Sequence, residues 1–172
     1  MLKLRILGID PGYAIVGYGI VDYDGYKFNT VSYGAITTPA KIDFPKRIDM
    51  IYNDMQTIID TYKPEALSIE RLYFNTNTTT AIDVAQARGV ILLACEQKGL
   101  TINEYTPLQV KQAITGYGKA EKRQVIEMVK SFLSLTKAPK PDDTADALAL
   151  AICHGHAAGN LFGKISKGVA KL

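Results

Sequence analysis

Acidic residues close two apolar runs of this chain, and that placement constrains the fold more than any other feature. Asp10 ends Leu4-Arg5-Ile6-Leu7-Gly8-Ile9, and Glu70 ends Ala66-Leu67-Ser68-Ile69. Asp143 and Asp146 then open the helical stretch Asp143-Thr144-Ala145-Asp146-Ala147-Leu148-Ala149-Leu150. A carboxylate at the end of a buried strand carries a desolvation cost. Two such strands, with a helix whose acids at i and i+3 share one face, call for a cation that gathers them. The cation chemistry that fits best is a divalent metal serving phosphodiester cleavage.

The order of elements gives these acids a common location. Leu2 to Asp10, Ala14 to Asp22 and Tyr26 to Thr38 read as three strands of an antiparallel meander, with Gly17 and Gly19 interrupting the second. Pro11-Gly12 turns the chain, and Asp24-Gly25 is a strong hairpin signal. Asp43 is a plausible N-cap with Pro45 in the first turn, and Ile48, Ile51, Met55, Ile58, Ile59 and Tyr62 follow at helical spacing. Lys63-Pro64 ends that helix. Ala66 to Glu70 is a fourth strand, Arg71 to Asn77 a polar loop, and Thr78 to Gly99 a long helix closed by glycine.

Leu100 to Tyr105 is a fifth strand. Thr106-Pro107 is an N-cap with proline at the first helical position, leading into a helix from Leu108 to Ile114. A flexible break at 115–118 precedes a helix from Lys119 to Leu133, and the final helix runs from Asp142 to about Ala158. The expected architecture is α/β: a mixed five-stranded sheet, three strands antiparallel and then two parallel, with helices on both faces.

If the first and fourth strands are neighbours, Asp10 and Glu70 lie close together, and packing the last helix beside them completes a four-acid cluster. Mg²⁺ prefers hard oxygen ligands and keeps several waters. Phosphodiester hydrolysis gains from two such ions roughly 3.5–4 Å apart, one activating water and one stabilising the leaving oxygen. Each acid also has a plainer reading: Asp10 as a turn residue, Glu70 in a surface ion pair with Arg71, Asp143 as an N-cap. Asp146 is harder to account for, because an acid amid alanines and a leucine wants a partner.

The 172 residues fit one domain, read as 1–158 with a basic, flexible tail over 159–172. A net charge of +3 permits nucleic-acid binding without arguing for it, so any basic surface is local. Cys95 and Cys153 read as buried thiols, with neither a Cys-x-x-Cys pair nor a disulfide framework. No signal peptide precedes the first strand, and Val90 to Cys95 is too short an apolar stretch to span a bilayer. A cytoplasmic protein with no membrane association is expected.

Several ordered motifs resemble those of the RuvC family. They are Gly8-Ile9-Asp10-Pro11-Gly12, Ser68-Ile69-Glu70, Ala85-Gln86-Ala87-Arg88-Gly89, Gln109-Val110-Lys111-Gln112, the run from Gly116 to Lys122 and the run from Asp143 to Ala149. The resemblance covers residue 4 to about 158. It implies an RNase H-like fold and a homodimeric Holliday-junction resolvase that nicks two opposed strands, leaving 5′-phosphate and 3′-hydroxyl ends in recombination and repair. It assigns catalysis and metal binding to Asp10, Glu70, Asp143 and Asp146, with two Mg²⁺ per site and Mn²⁺ able to substitute. Lys111 and Lys122 align with DNA-contacting lysines, and Tyr73 with an aromatic that stacks near the crossover. A RuvA–RuvB branch-migration complex is a further partner the resemblance implies.

The residues themselves agree with that reading. Tyr73 and Phe74 sit among Asn and Thr, Asn77 included, directly after Glu70; they either stack on unpaired bases, each worth roughly 1–3 kcal/mol, or fold back as an apolar lid. Lys111, Lys119, Lys122 and Arg123 form either a phosphate-binding patch or a solvated charged face. On the long helix, Ile82, Ala85, Gly89, Leu92 and Leu93 make one apolar stripe, which Val90, Ile91, Ala94 and Cys95 widen beyond a single buried face. Such a helix is either wholly buried or covered by a partner, and Ala85 and Gly89 would let a second copy approach closely.

Two other classes compete. An actin-like ATPase or sugar kinase also follows its first strand with an Asp-x-Gly turn, but needs a second copy of the fold. A non-catalytic junction-binding module would leave the acids dispensable.

Overall fold

The computed structural model describes residues 3–72 and 78–169, without the side chains of 78, 79 and 160–169. Tyr73, Phe74 and Asn77, expected at the DNA, lie outside the described residues. The apolar strand runs become β1 (Leu4–Asp10), β2 (Ile15–Tyr23), β3 (Phe28–Thr37), β4 (Ala66–Glu70) and β5 (Thr101–Tyr105). The helices are α1 (Phe44–Tyr62), α2 (Thr78–Gln97), α3 (Pro107–Thr115), α4 (Lys122–Phe132) and α5 (Asp142–Val169). The sheet order is β3-β2-β1-β4-β5, with the first three strands antiparallel and β4 and β5 parallel to β1. This is the mixed sheet expected from the sequence.

Local chemistry sets the element ends. At the β2–β3 hairpin, Gly25 takes φ +98° and Asp24 Oδ1 accepts from the amides of Tyr26 and Lys27. Thr106 caps α3 reciprocally: its Oγ1 accepts from the Gln109 amide, and Gln109 Oε1 accepts from the Thr106 amide. Gly99, at φ +74°, closes α2 as expected. Two boundaries differ from expectation. The helix expected from Lys119 begins at Lys122, because the Ala120 amide is taken by the Tyr117 carbonyl in a turn. The last helix passes Ala158 and continues to Val169, since nothing in 159–169 but glycine opposes helix and no proline intervenes.

Alternation along the strands divides the core in two. Leu7, Ile9, Leu67 and Ile69 face α1 and α2, meeting Ile51, Met55, Ala87, Ile91 and Cys95. Ile6 and Val21 face the other way, toward α3, α4 and α5. Down the middle of this second face the sheet carries almost no side chains. Gly8 is paired with Gly19 on β2 and Ser68 on β4, and α5 lies in the trough so formed. A Cβ on Gly8 would overlap the Ala147 carbonyl oxygen and stand 2.9 Å from the Ala151 amide nitrogen. Ser68 Oγ donates to the Leu150 carbonyl at 2.6 Å, fixing the helix along its length. Backbone contact of this kind is a common reason for glycine inside a strand.

Candidate active site

The trough places the acids. Asp10 closes β1 and pairs across the ladder with Gly17. A Cβ on Gly17 would overlap the Asp143 carbonyl and stand 3.0 Å from the Asp143 Cβ, so α5 begins directly over the strand pair that ends in Asp10. Ile9 pairs with Ile69 in parallel register, so Glu70 comes off β4 beside Asp10. Asp146 follows one turn along α5. The structure thus brings together all four acids singled out in the sequence.

Their electrostatics are those of crowded carboxylates. Burial, reinforced by repulsion from Asp146, Glu70 and Asp143, pushes the Asp10 carboxyl up to about 8. Glu70 is raised as well, by burial first and then by Asp146. The compensating charge is Lys122, at the first residue of α4. Its Nζ lies 3.0 Å from Asp146 Oδ2 and 4.0 Å from Asp142 Oδ2. The hydrogen bond to Asp146 raises the lysine above its usual range, with further attraction from Asp142 and Asp10.

Among the described residues no three acids are drawn in closely enough to coordinate a single ion. The donor set nevertheless suits a divalent cation: it is made of carboxylate oxygens, and a side-chain ammonium stands where their excess negative charge concentrates.

A cleft of 270 Å³ opens beside the acids, lined by Glu70 and Asp146 together with Lys111 and Lys122. Val110, Val125 and Leu150 form its apolar walls. Lys119, in the turn before α4, and Arg123 of α4 are exposed and border a second depression with Tyr117. Of the four basic residues read from the sequence, Lys111 and Lys122 share the cleft with the acids, whereas Lys119 and Arg123 line the separate depression.

Sequence reasoning missed one residue that shapes the site. Arg88 of α2 donates from Nε to the Glu70 carbonyl at 3.2 Å and from Nη2 to Glu104 Oε2 at 2.6 Å, tying the end of β4 to β5. Its motif was noticed, but the target of the guanidinium depends on tertiary pairing. The glycines of the trough were visible as strand interruptions, and that signal could have announced a backbone packed against the sheet.

The family model for crossover junction endodeoxyribonuclease RuvC matches residues 6–154. The chain belongs to the RuvC family. A crossover junction endodeoxyribonuclease RuvC from Clostridioides difficile (strain 630) is 58% identical over 151 residues, 88% of this chain and 89% of that one. The solved Thermus thermophilus RuvC structure superposes with a TM-score of 0.84 at 33% identity, covering 90% of this chain and 95% of the other. T. thermophilus RuvC in complex with Holliday junction substrate gives 0.83 at 31% identity, with the same coverage. The RNase H-like fold expected from the motifs is the one observed. The RuvC likeness spans every element that carries an acid of the cluster.

The stripe on α2 is partly corrected. Ile82 and Leu93 are 64% and 51% exposed, and open space surrounds the Cβ position of Gly89. Ala85 and Leu92 are half-buried, and Leu92 packs against the first core. Ala87, Ile91, Ala94 and Cys95 fix the helix phase by facing the core, which turns Ile82, Gly89 and Leu93 outward and Ala85 and Leu92 to the flank. Among the described residues no helix is long and apolar enough to cross a membrane.

Proposed function

We propose that this chain resolves four-way DNA junctions by metal-dependent nicking of two opposed strands, acting as a homodimer. The observation that carries this reading is the convergence of Asp10, Glu70, Asp143 and Asp146 beside a cleft that Lys111 and Lys122 also line. Family membership supports the substrate class.

Asp10, Glu70, Asp143 and Asp146 would hold divalent cations, two Mg²⁺ in the fullest form, with Mn²⁺ as a substitute. Bound there, such ions lower the pKa of water and stabilise the leaving oxygen. Asp10 must give up its proton to serve, because only the carboxylate offers both oxygens as donors. Lys111 lines the cleft where the phosphodiester would lie and screens its charge. Lys119 and Arg123 would hold flanking phosphates, positioning the strand without reading its sequence. Tyr73, Phe74 and Asn77 would contact unpaired bases near the crossover.

The exposed α2 face of Ile82, Gly89 and Leu93 suits a two-fold contact with a second copy, which would set two sites against two symmetric strands. Ala85 and Leu92 would flank that contact. On this reading the protein would act in the cytoplasm, with RuvA–RuvB as the expected motor partner. Incubating the protein with a synthetic four-way junction and Mg²⁺, with EDTA as control, tests the reading. Paired nicks with 5′-phosphate ends are expected; Asp10→Asn and Asp146→Asn should bind the junction and leave it intact. Full cleavage by either variant would sink the assignment.

A further inference from the structure

Lys122 is assigned two tasks it cannot perform together. Its ammonium pairs with Asp146 and Asp142 at 3.0 and 4.0 Å. It also lines the cleft in which a DNA phosphate would sit. An ammonium engaged with carboxylates is not free to neutralise a phosphate. Asp142 has a closer cation in Lys140, at 3.2 Å, so Asp146 is the charge that depends on Lys122. We propose that Lys122 is an exchangeable counter-ion: it balances Asp146 while the acids lack a divalent cation, and swings to a DNA phosphate once one is taken up. The inference rests on the metal-dependent reading above.

The geometry suits exchange. The pair is loosely held, with side chains 53% and 37% exposed, and exposed pairs are weak enough to be given up. The backbone beneath it is anchored: Gln124 Oε1 accepts from the Glu121 amide at 2.8 Å, and Val125 and Val129 are buried in the second core. A compact charge on a flexible four-carbon stem can therefore move while α4 stays fixed. Lys122 thereby couples cation uptake to DNA binding, each favouring the other.

Two measurements on the full chain test this. In Mn²⁺ titration without DNA, followed by electron paramagnetic resonance, Lys122→Met should bind Mn²⁺ about fivefold more tightly than wild type, the scale of one exposed ion pair. Junction affinity is then measured against salt, at fixed Ca²⁺ and again in EDTA. The wild-type slope should exceed that of Lys122→Met by about 0.9 in Ca²⁺, the value of one phosphate contact, and match it in EDTA. Equal Mn²⁺ affinities, or a slope difference that is the same in both conditions, overturn the exchange alone. Failure of either protein to bind Mn²⁺ overturns the metal-dependent reading and the exchange with it. Far-UV circular dichroism confirms that the variant is folded.

Discussion

Gly8→Ala puts one methyl group into the seat of α5. The new Cβ would overlap the Ala147 carbonyl oxygen and lie 2.9 Å from the Ala151 nitrogen and 3.0 Å from the Ala147 carbonyl carbon. Ordinary contact needs about 3.5–4.0 Å. All three clashing atoms are helix backbone, so no side-chain rotation relieves them, and α5 must withdraw by about 1 Å. Overpacking on this scale costs about 1–3 kcal/mol. For a chain of this length that lowers Tm by roughly 2–12 °C, at about 2–4 °C per kcal/mol.

The larger effect falls on activity. Asp143 and Asp146 ride on α5 while Asp10 stays on β1, so the acids separate. A misplacement of about 1 Å can cost about 100-fold in rate. Single-turnover cleavage of a synthetic junction, at saturating protein and Mg²⁺, measures it; differential scanning fluorimetry measures the stability. Gly19→Ala is the comparison, because its Cβ meets chiefly the Leu148 side chain, 2.6 Å from Cδ2, which can turn aside. It should be milder in both assays. A Gly8→Ala protein with wild-type rate refutes the seating argument, whatever its Tm.

Three further outcomes are expected. Asp10 keeps its proton to about pH 8 in the metal-free fold but to about 3.8 in the unfolded chain. The fold therefore binds the extra proton between those values, and metal-free stability falls as pH rises through that window. Melting in EDTA should show the decline for wild type and a flatter profile for Asp10→Asn; equal slopes refute it. Arg88→Met removes the ties to the Glu70 carbonyl and Glu104. It should lower stability by about 1–2 kcal/mol and weaken Mn²⁺ binding in calorimetry, whereas an effect on melting alone would limit Arg88 to a structural role. Leu93→Lys, on the exposed face of α2, should shift sedimentation toward monomer with little change in Tm; an unaltered dimer would rule that face out.

What the sequence disclosed about this molecule depended on range. Strand-end acids, the Thr106-Pro107 cap and the Asp24-Gly25 hairpin are written in neighbouring residues, and all are found where expected. The glycines hinted at a close backbone approach, but which element covers Gly8, Gly17 and Gly19 was not legible, because that requires the β1–β2 register and a helix more than 120 residues away. Lys122 was recognisable as a cation facing phosphate, yet its partner Asp146 could not be read, since one charge does not announce which opposite charge folding will bring to it. Likewise the apolar excess of α2 was plain, but its division between core and surface was fixed only by contact with α1 and β5. The helical continuation past Ala158 was missed because a basic, acid-free stretch reads as solvated whether or not it is helical.

The dispersal of the acids along the chain also has a consequence for biosynthesis. Asp10 and Glu70 emerge from the ribosome long before α5, which supplies Asp143 and Asp146 and fills the trough over Gly8. Until that last helix docks, half of the carboxylates are missing and the glycine row is open to water. If these acids form the proposed cutting centre, that centre is assembled only by the completed tertiary fold, and an amino-terminal fragment lacking α5 is expected to leave a four-way junction uncut.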